Sequence, residues 1–207
     1  DDGVADGRIN YIPQSVIDSY LDEVSKQGIH TDLVKSSGLK VVYTPLNGTG
    51  NKPVRAILKK IGVEDVTVVP EQEYPDGNFP TCPFPNPEIK EALAKGLELC
   101  NVVKPDLLLA TDPDCDRVGI AVPSDNGYEL FTGNEVGAML LEYICSERTK
   151  MGTMPADPVA VKTIVTTDIA AKIAKEYGVK LIEVLTGFKF IGEQIGFLED
   201  KGQEDRY

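Results

Sequence analysis

Apolar positions along the chain recur at two periods, and the changes of period mark out the elements. Over residues 13–27, Ile17, Tyr20, Leu21 and Val24 fall at helical spacing, and Gly28 supplies a stop. Residues 39–44 (LKVVYT) form a short apolar run rich in β-branched side chains, which predicts a strand. The turn PLNGTG follows, then a helix carrying Val54, Ile57, Leu58 and Ile61. Residues 66–70 (VTVVP) predict a second strand. After a proline-rich stretch, PNPE predicts the next helix, with Asn86 as N-cap, Pro87 at the first helical position, and Ile89, Leu93 and Leu97 on its apolar face. Residues 106–112 (DLLLATD) read as a buried strand running into a loop. VGIAVP and YELF read as an antiparallel pair joined by SDNG, in which Asn126-Gly127 is a strong hairpin signal.

A second series follows the hairpin: a helix over 134–147, a polar loop, a strand at VAVKTIV, a helix over 167–177, a strand at LIEVL and a last helix from TGFKFIGE onward. Alternating strands and helices predict an α/β class with two consecutive layered domains and mixed sheets, divided as residues 1–125 and 126–207. The second shows only two clear strands and is expected to be incomplete. Phe188, Phe190 and Ile191 are assigned to core, and Thr166, Thr167 and Asp168 to a helix start.

Composition narrows the chemistry. Of 207 residues, 42% are hydrophobic and 26% charged, ordinary values for a globular protein, and no apolar run reaches the ~20 residues needed to span a bilayer. A net charge of -12 argues against a nucleic-acid partner, which would call for an excess of Lys and Arg. The four cysteines are far apart without a CxxC pair, so a reducing, cytoplasmic setting is expected instead of a disulfide framework or a zinc knuckle. The single histidine, His30, stands where a loop or helix-start role is expected.

The segment LLLATDPDCDRVGIAV carries the main chemical signal. An apolar strand delivers Asp112, Asp114 and Asp116 at alternate positions, and in extended backbone such residues point the same way. Three carboxylates held together repel, at about 4 kcal/mol per pair at ~4 Å for an effective dielectric of ~20. A hard divalent cation relieves that cost, which points to Mg²⁺, Mn²⁺ or Ca²⁺. Arg117 is placed to reach an anion at the same metal. An EF-hand would need Gly and Glu where Arg117 and Pro123 stand, so that reading fails. A haloacid-dehalogenase-type phosphatase and a non-catalytic cation-binding module are the alternatives kept. GTGNK fits neither phosphate-loop pattern and reads as a turn into a helix.

On these segments the chain resembles the α-D-phosphohexomutase family of phosphoglucomutases and phosphomannomutases. TDPDCDR resembles the family's DGDGDR metal loop, with Pro113 and Cys115 in place of the glycines. YTPLNGTG resembles its P-x-HG-x-G turn, with Asn47 where His is common. FPTCPFPNPE resembles its PNPE segment, and TGFKFIGE its sugar-side TGFK loop. The resemblance implies the second and most of the third of four domains. It implies Mg²⁺ held by Asp112, Asp114 and Asp116, Arg117 as a catalytic phosphate contact, and Thr186, Gly187 and Lys189 as candidate sugar-phosphate contacts. It further implies a phosphoryl shift between the 1- and 6-hydroxyls of a hexose through a phosphoserine. The family's serine loop is absent from these residues, so the fragment is expected to be inactive alone.

Overall fold

The computed structural model describes residues 2–207 as two compact units, divided between Leu130 and Phe131. The first opens with the short helix α1 (Asp2–Ala5), then α2 (Gln14–Ser25) and α3 (Thr31–Ser37), whose N-cap position is His30, the helix-start place its setting predicts. β1 (Lys40–Thr44), α4 (Asn51–Ile61) and β2 (Asp65–Val68) follow. After them come α5 (Ala94–Val103), β3 (Leu107–Thr111), β4 (Val118–Ser124) and β5 (Gly127–Phe131). Their sheet has the order β2-β1-β3-β4-β5. β1 runs parallel to both β2 and β3, with Val41 opposite Val66 on one side and Leu107 on the other, while β4 returns antiparallel to β3. The mixed sheet expected from the strand and helix pattern is therefore present.

Alternation along β1 and β3 sorts their side chains onto two covered faces. Val41, Tyr43, Leu107 and Leu109 pack with Val54, Leu58 and Ile61 of α4, whereas Val42, Leu108 and Ala110 pack with Leu97, Cys100 and Val103 around α5. A central parallel strand buried on both faces explains why LKVVYT and DLLLAT are nearly continuous apolar runs. Because β2 lies on one side of β1 and β3 on the other, the chain leaves the carboxyl ends of β1 and β3 in diverging directions. Open α/β sheets form their ligand crevices at such a point.

The expected helix at PNPE does not form there. Asn86 Oδ1 accepts the Glu88 amide at 3.0 Å, and the next bonds close tight four-residue turns (Ile89 N to Asn86 O, Ala92 N to Ile89 O, Leu93 N to Lys90 O) before α5 begins at Ala94. Tertiary packing overrides the local helix signal. Pro87 is fully buried, and its carbonyl lies so close to Gly119 of β4 that a Cβ at Gly119 would collide with it. Ala92 is drawn into a separate cluster with Leu46 and Cys82, joined by Ile89.

The second unit contains α6 (Gly133–Met151), β6 (Val159–Thr163), α7 (Ile169–Glu176), β7 (Lys180–Val184) and α8 (Phe188–Glu199). α6 starts with a capping box: Thr132 N donates to Glu135 Oε2 at 2.8 Å, and Glu135 N to Thr132 Oγ1 at 3.3 Å. β6 and β7 form a two-stranded parallel sheet, so among the described residues this sheet is parallel and not mixed. Its core joins Cys145, Ala174 and Val179. Phe188 is 77% exposed, which corrects its assignment to the core, whereas Phe190 and Ile191 are half-buried. Phe188 is the first residue of α8, and its side chain points off the packed face. No helix among the described residues is long and apolar enough to cross a membrane, and Cys82, Cys100, Cys115 and Cys145 are free thiols.

Candidate metal centre

Asp112, Asp114 and Asp116 converge: each offers a carboxylate oxygen, and these oxygens lie within 4.8 Å of one another. Alternation along extended backbone is not the cause, because β3 ends at Thr111 and the chain turns. Cys115 N donates to Asp112 O at 3.0 Å, and Cys115 adopts the left-handed region at φ 64. The loop then wraps around the Asp112 carboxylate, whose Oδ1 accepts the amides of Asp116 (3.1 Å) and Arg117 (2.9 Å). A left-handed residue is what lets so short a turn close, and glycine is the residue that adopts it without cost.

The three acids differ in setting. Asp112 is fully buried, and Asp114 and Asp116 are exposed. Burial pushes the Asp112 carboxyl up, but hydrogen bonds from the Arg117 amide and then its guanidinium, together with the contacts to Asp114 and Asp116, hold the group below the usual carboxylate range. Asp116 is pushed up, foremost by close contact with Asp112 and then by the Asp112 and Asp114 charges. Arg117 Nε donates to Asp112 Oδ2 at 2.8 Å and lies 3.7 Å from Asp116 Oδ1. Its terminal nitrogens make no hydrogen bond among the described residues, and half of the side chain is exposed, so the fork remains available to an anion.

Three carboxylates against one guanidinium leave a surplus of negative charge on the loop, carried by hard oxygen donors. That donor set fits a small divalent cation such as Mg²⁺. Beside it opens a cleft of about 450 Å³ lined by Phe79, Phe84, Asn86, Asp112, Asp114 and Arg117. Phe79 and Phe84 belong to the FPTCPFPNPE segment that the family resemblance picks out, but neither is singled out there as a site residue.

Buried polar contacts lie at the carboxyl ends of β1 and β3. Tyr43 Oη and Thr111 Oγ1 are hydrogen-bonded at 2.8 Å, and burial pushes the Tyr43 phenol up to about 12. Thr44 Oγ1 donates to Oε1 of the fully buried Gln72 at 2.7 Å. GTGNK does act as a turn into a helix, with Gly50 directly before α4.

In the second unit, Thr186, Gly187 and Lys189 are all exposed on the loop between β7 and α8 and the first turn of α8. Gly187 sits at φ 124, a conformation open to glycine, and Lys189 Nζ lies 4.9 Å from the Phe190 ring centroid. Thr167 Oγ1 accepts the Ile169 amide at 3.3 Å, as expected of a helix start. Lys162 is a residue to which the linear pattern does not point: it is 7% exposed, its Nζ lies 2.5 Å from Glu183 Oε2, and it donates to Thr166 O at 3.1 Å.

Sequence models of the phosphoglucomutase/phosphomannomutase family match residues 18–127 as its α/β/α domain II and residues 132–198 as its α/β/α domain III. The chain belongs to this family. Among curated relatives, a phosphoglucomutase of Staphylococcus saprophyticus is 35% identical over 203 residues, covering 98% of this chain and 35% of the relative. A phosphoglucomutase of Staphylococcus aureus is 35% identical over 193 residues, 93% of this chain and 34% of the relative. The chain thus spans about a third of the length of the mutases it matches. Two solved structures share the fold. A Thermus thermophilus protein assigned as a phosphomannomutase superposes with a TM-score of 0.66 at 23% identity, over 89% of this chain and 39% of that one. A phosphoglucomutase/phosphomannomutase family protein from Burkholderia thailandensis does so with a TM-score of 0.61 at 19% identity, over 86% and 36%. Membership in the mutase family weighs against the phosphatase alternative.

Proposed function

We propose that this chain is the metal-binding middle portion of a cytoplasmic, Mg²⁺-dependent phosphohexomutase that moves a phosphoryl group between the 1- and 6-hydroxyls of glucose or mannose. The observation that carries the reading is the meeting of three carboxylates, beside a free guanidinium fork, at the carboxyl end of β3.

In this reading Asp112, Asp114 and Asp116 hold the cation. A bound Mg²⁺ would neutralise charge on the transferring phosphoryl group and polarise its oxygens. Asp112 holds Arg117 through Nε, so the guanidinium is oriented before any ligand arrives, and its terminal nitrogens grip phosphate oxygens. Preorientation of that kind lowers the entropic cost of reaching the transition state. Thr186, Gly187 and Lys189 would contact the sugar phosphate: Gly187 permits close approach of backbone, and Lys189 supplies a cation. The phosphoserine nucleophile would come from residues other than these, since no Ser-His-Asn-Pro segment occurs among the 207. The chain alone is accordingly expected to bind metal without turning over substrate.

Calorimetric titration of the 207-residue chain with Mg²⁺ and Mn²⁺ tests the reading. Binding of one ion, lost in Asp114→Asn with the fold intact, is the expected result. In the intact enzyme the same substitution should lower turnover by orders of magnitude. Absence of binding by the unmodified chain, or turnover by Asp114→Asn at the unmodified rate, would remove the loop from the mechanism.

A further inference from the structure

Loop 45–50, between β1 and α4, takes no part in the chemistry proposed above, yet it touches the aspartate loop at its centre. We infer that Thr49 is a positioning residue for the cation site: it grips the carbonyl of Pro113, the residue between Asp112 and Asp114, and so fixes how those two carboxylates face a shared ion. The inference rests on the metal-binding reading of the three aspartates.

The contact is double. Thr49 N donates to Pro113 O at 2.8 Å, and Thr49 Oγ1 donates to the same oxygen at 3.1 Å. Two donors from one residue engage both lone pairs of that carbonyl, which holds the peptide plane against rotation. Turning that plane would swing the Asp114 Cα, and its carboxylate with it, away from Asp112. Proline has no amide hydrogen, so the Pro113 peptide nitrogen contributes no bond of its own to hold the turn. The gripping loop also lies in direct contact, because a Cβ at Gly48 would strike the Pro113 backbone. One at Gly50 would come within 2.7 Å of Thr111 Oγ1 and Tyr43 Oη and 2.9 Å of Cys115 Sγ. Glycines at 48 and 50 are what allow this approach.

The grip itself is anchored from behind. Asn47, left-handed at φ 57 and buried, donates its amide to Gln72 O at 2.9 Å. Its Nδ2 donates to the carbonyls of Glu71 (3.2 Å) and Tyr74 (2.9 Å), and its own carbonyl accepts the Asp76 amide at 3.1 Å. Restraint therefore passes from the 71–76 segment through Asn47 to Thr49, then to Pro113 and the carboxylates on either side. Groups that orient metal ligands in this manner typically carry a roughly 10–100-fold share of metal affinity.

The test is Mn²⁺ affinity of the 207-residue chain, read by electron paramagnetic resonance. Thr49→Val keeps the side-chain size and the backbone amide but removes the hydroxyl, Thr49→Ala removes it without branching, and Thr49→Ser keeps it. Thr49 is exposed, so melting temperatures should be nearly unchanged. The Val and Ala variants should bind Mn²⁺ about tenfold more weakly, with Ser within about twofold of the unmodified chain. Val and Ala variants that bind as tightly as the unmodified chain, while Asp114→Asn does not bind, would overturn the inference and leave the metal site standing. Equal loss in Val and Ser would also overturn it, because the hydroxyl would not be the cause. An unmodified chain that fails to bind Mn²⁺ would sink the metal site and this inference together.

Discussion

Replacing Asp112 with alanine should separate the structural from the ligating work of the three aspartates. Its carboxylate accepts the amides of Asp116 and Arg117 and the Nε of Arg117, at 3.1, 2.9 and 2.8 Å. The Arg117 side chain is half exposed and rehydrates, so that pair is worth at most about 1 kcal/mol. The two amide bonds contribute about 1–1.5 kcal/mol each, since they end on an ionised acceptor but are only partly buried. Removal of a buried carboxylate crowded by Asp114 and Asp116 returns some of this, which leaves a net loss of about 2–3 kcal/mol. Asp112→Asn keeps one oxygen for the amides and should lose about half as much. The assay is amide hydrogen exchange by NMR at Asp116 and Arg117, where a loss of about 2.7 kcal/mol appears as roughly hundredfold faster exchange. Urea melts of the same variants, followed by circular dichroism, give the global cost. The sign of the pH dependence follows from the lowered carboxyl. The contribution is complete above the ordinary value of 3.8 and is lost as pH falls through the lower folded value. Unchanged exchange at both amides in Asp112→Ala, or an equal effect from the exposed Asp116→Ala, would refute the claim that the loop is wound around Asp112.

Cys115 and the α6 capping box give further tests. Cys115→Gly should alter stability by less than about 1 kcal/mol, because relief of left-handed strain (about 1–2 kcal/mol) is offset by lost burial of the thiol group (about 1 kcal/mol). Cys115→Val, a branched side chain at φ 64, should cost about 2–3 kcal/mol, and thermal melts that place Val level with Gly would contradict the turn geometry. Glu135 is held below its ordinary value of 4.5, first by the Thr132 amide and then by the Thr132 hydroxyl. Its contribution is present above 4.5 and disappears as pH falls through the lower folded value. The stability gap between the unmodified chain and Glu135→Gln should therefore be open at about pH 7 and closed in acid. A gap independent of pH would show that the box does not depend on the charge.

Much of the framework could be read from the linear pattern. The runs at LKVVYT and DLLLAT are apolar at nearly every position because β1 and β3 are covered on both faces, and that burial leaves its mark on composition. The hairpin at Asp125-Asn126-Gly127 was equally legible, since it depends on backbone conformations that only a few residue types adopt. The choice of Asp112, Asp114, Asp116 and Arg117 as one chemical unit needed only their spacing behind a buried strand.

What the linear pattern left undecided lies partly in contacts between residues far apart along it and partly in the local turn after β3. PNPE carries a sound local helix signal, yet Pro87 against Gly119 and Ala92 against Leu46 hold it as a series of turns. The aspartates do converge, but through a left-handed Cys115 and amides that fold back on Asp112, which spacing by two in extended backbone does not describe. Phe188 has the composition of core and the position of a surface residue, because only the packed arrangement says which side of α8 is free. Thr49 sits 64 residues from the carbonyl it holds, so nothing in its own neighbourhood could announce the contact. By itself, then, the sequence determined most of the elements, their order, and which side chains carry charge to the end of β3, since those depend on near neighbours and on burial. The tertiary structure decided how the turned aspartate loop is held, because the bonds from Thr49 to Pro113 and from Tyr43 to Thr111 exist only once β1 and β3 lie side by side.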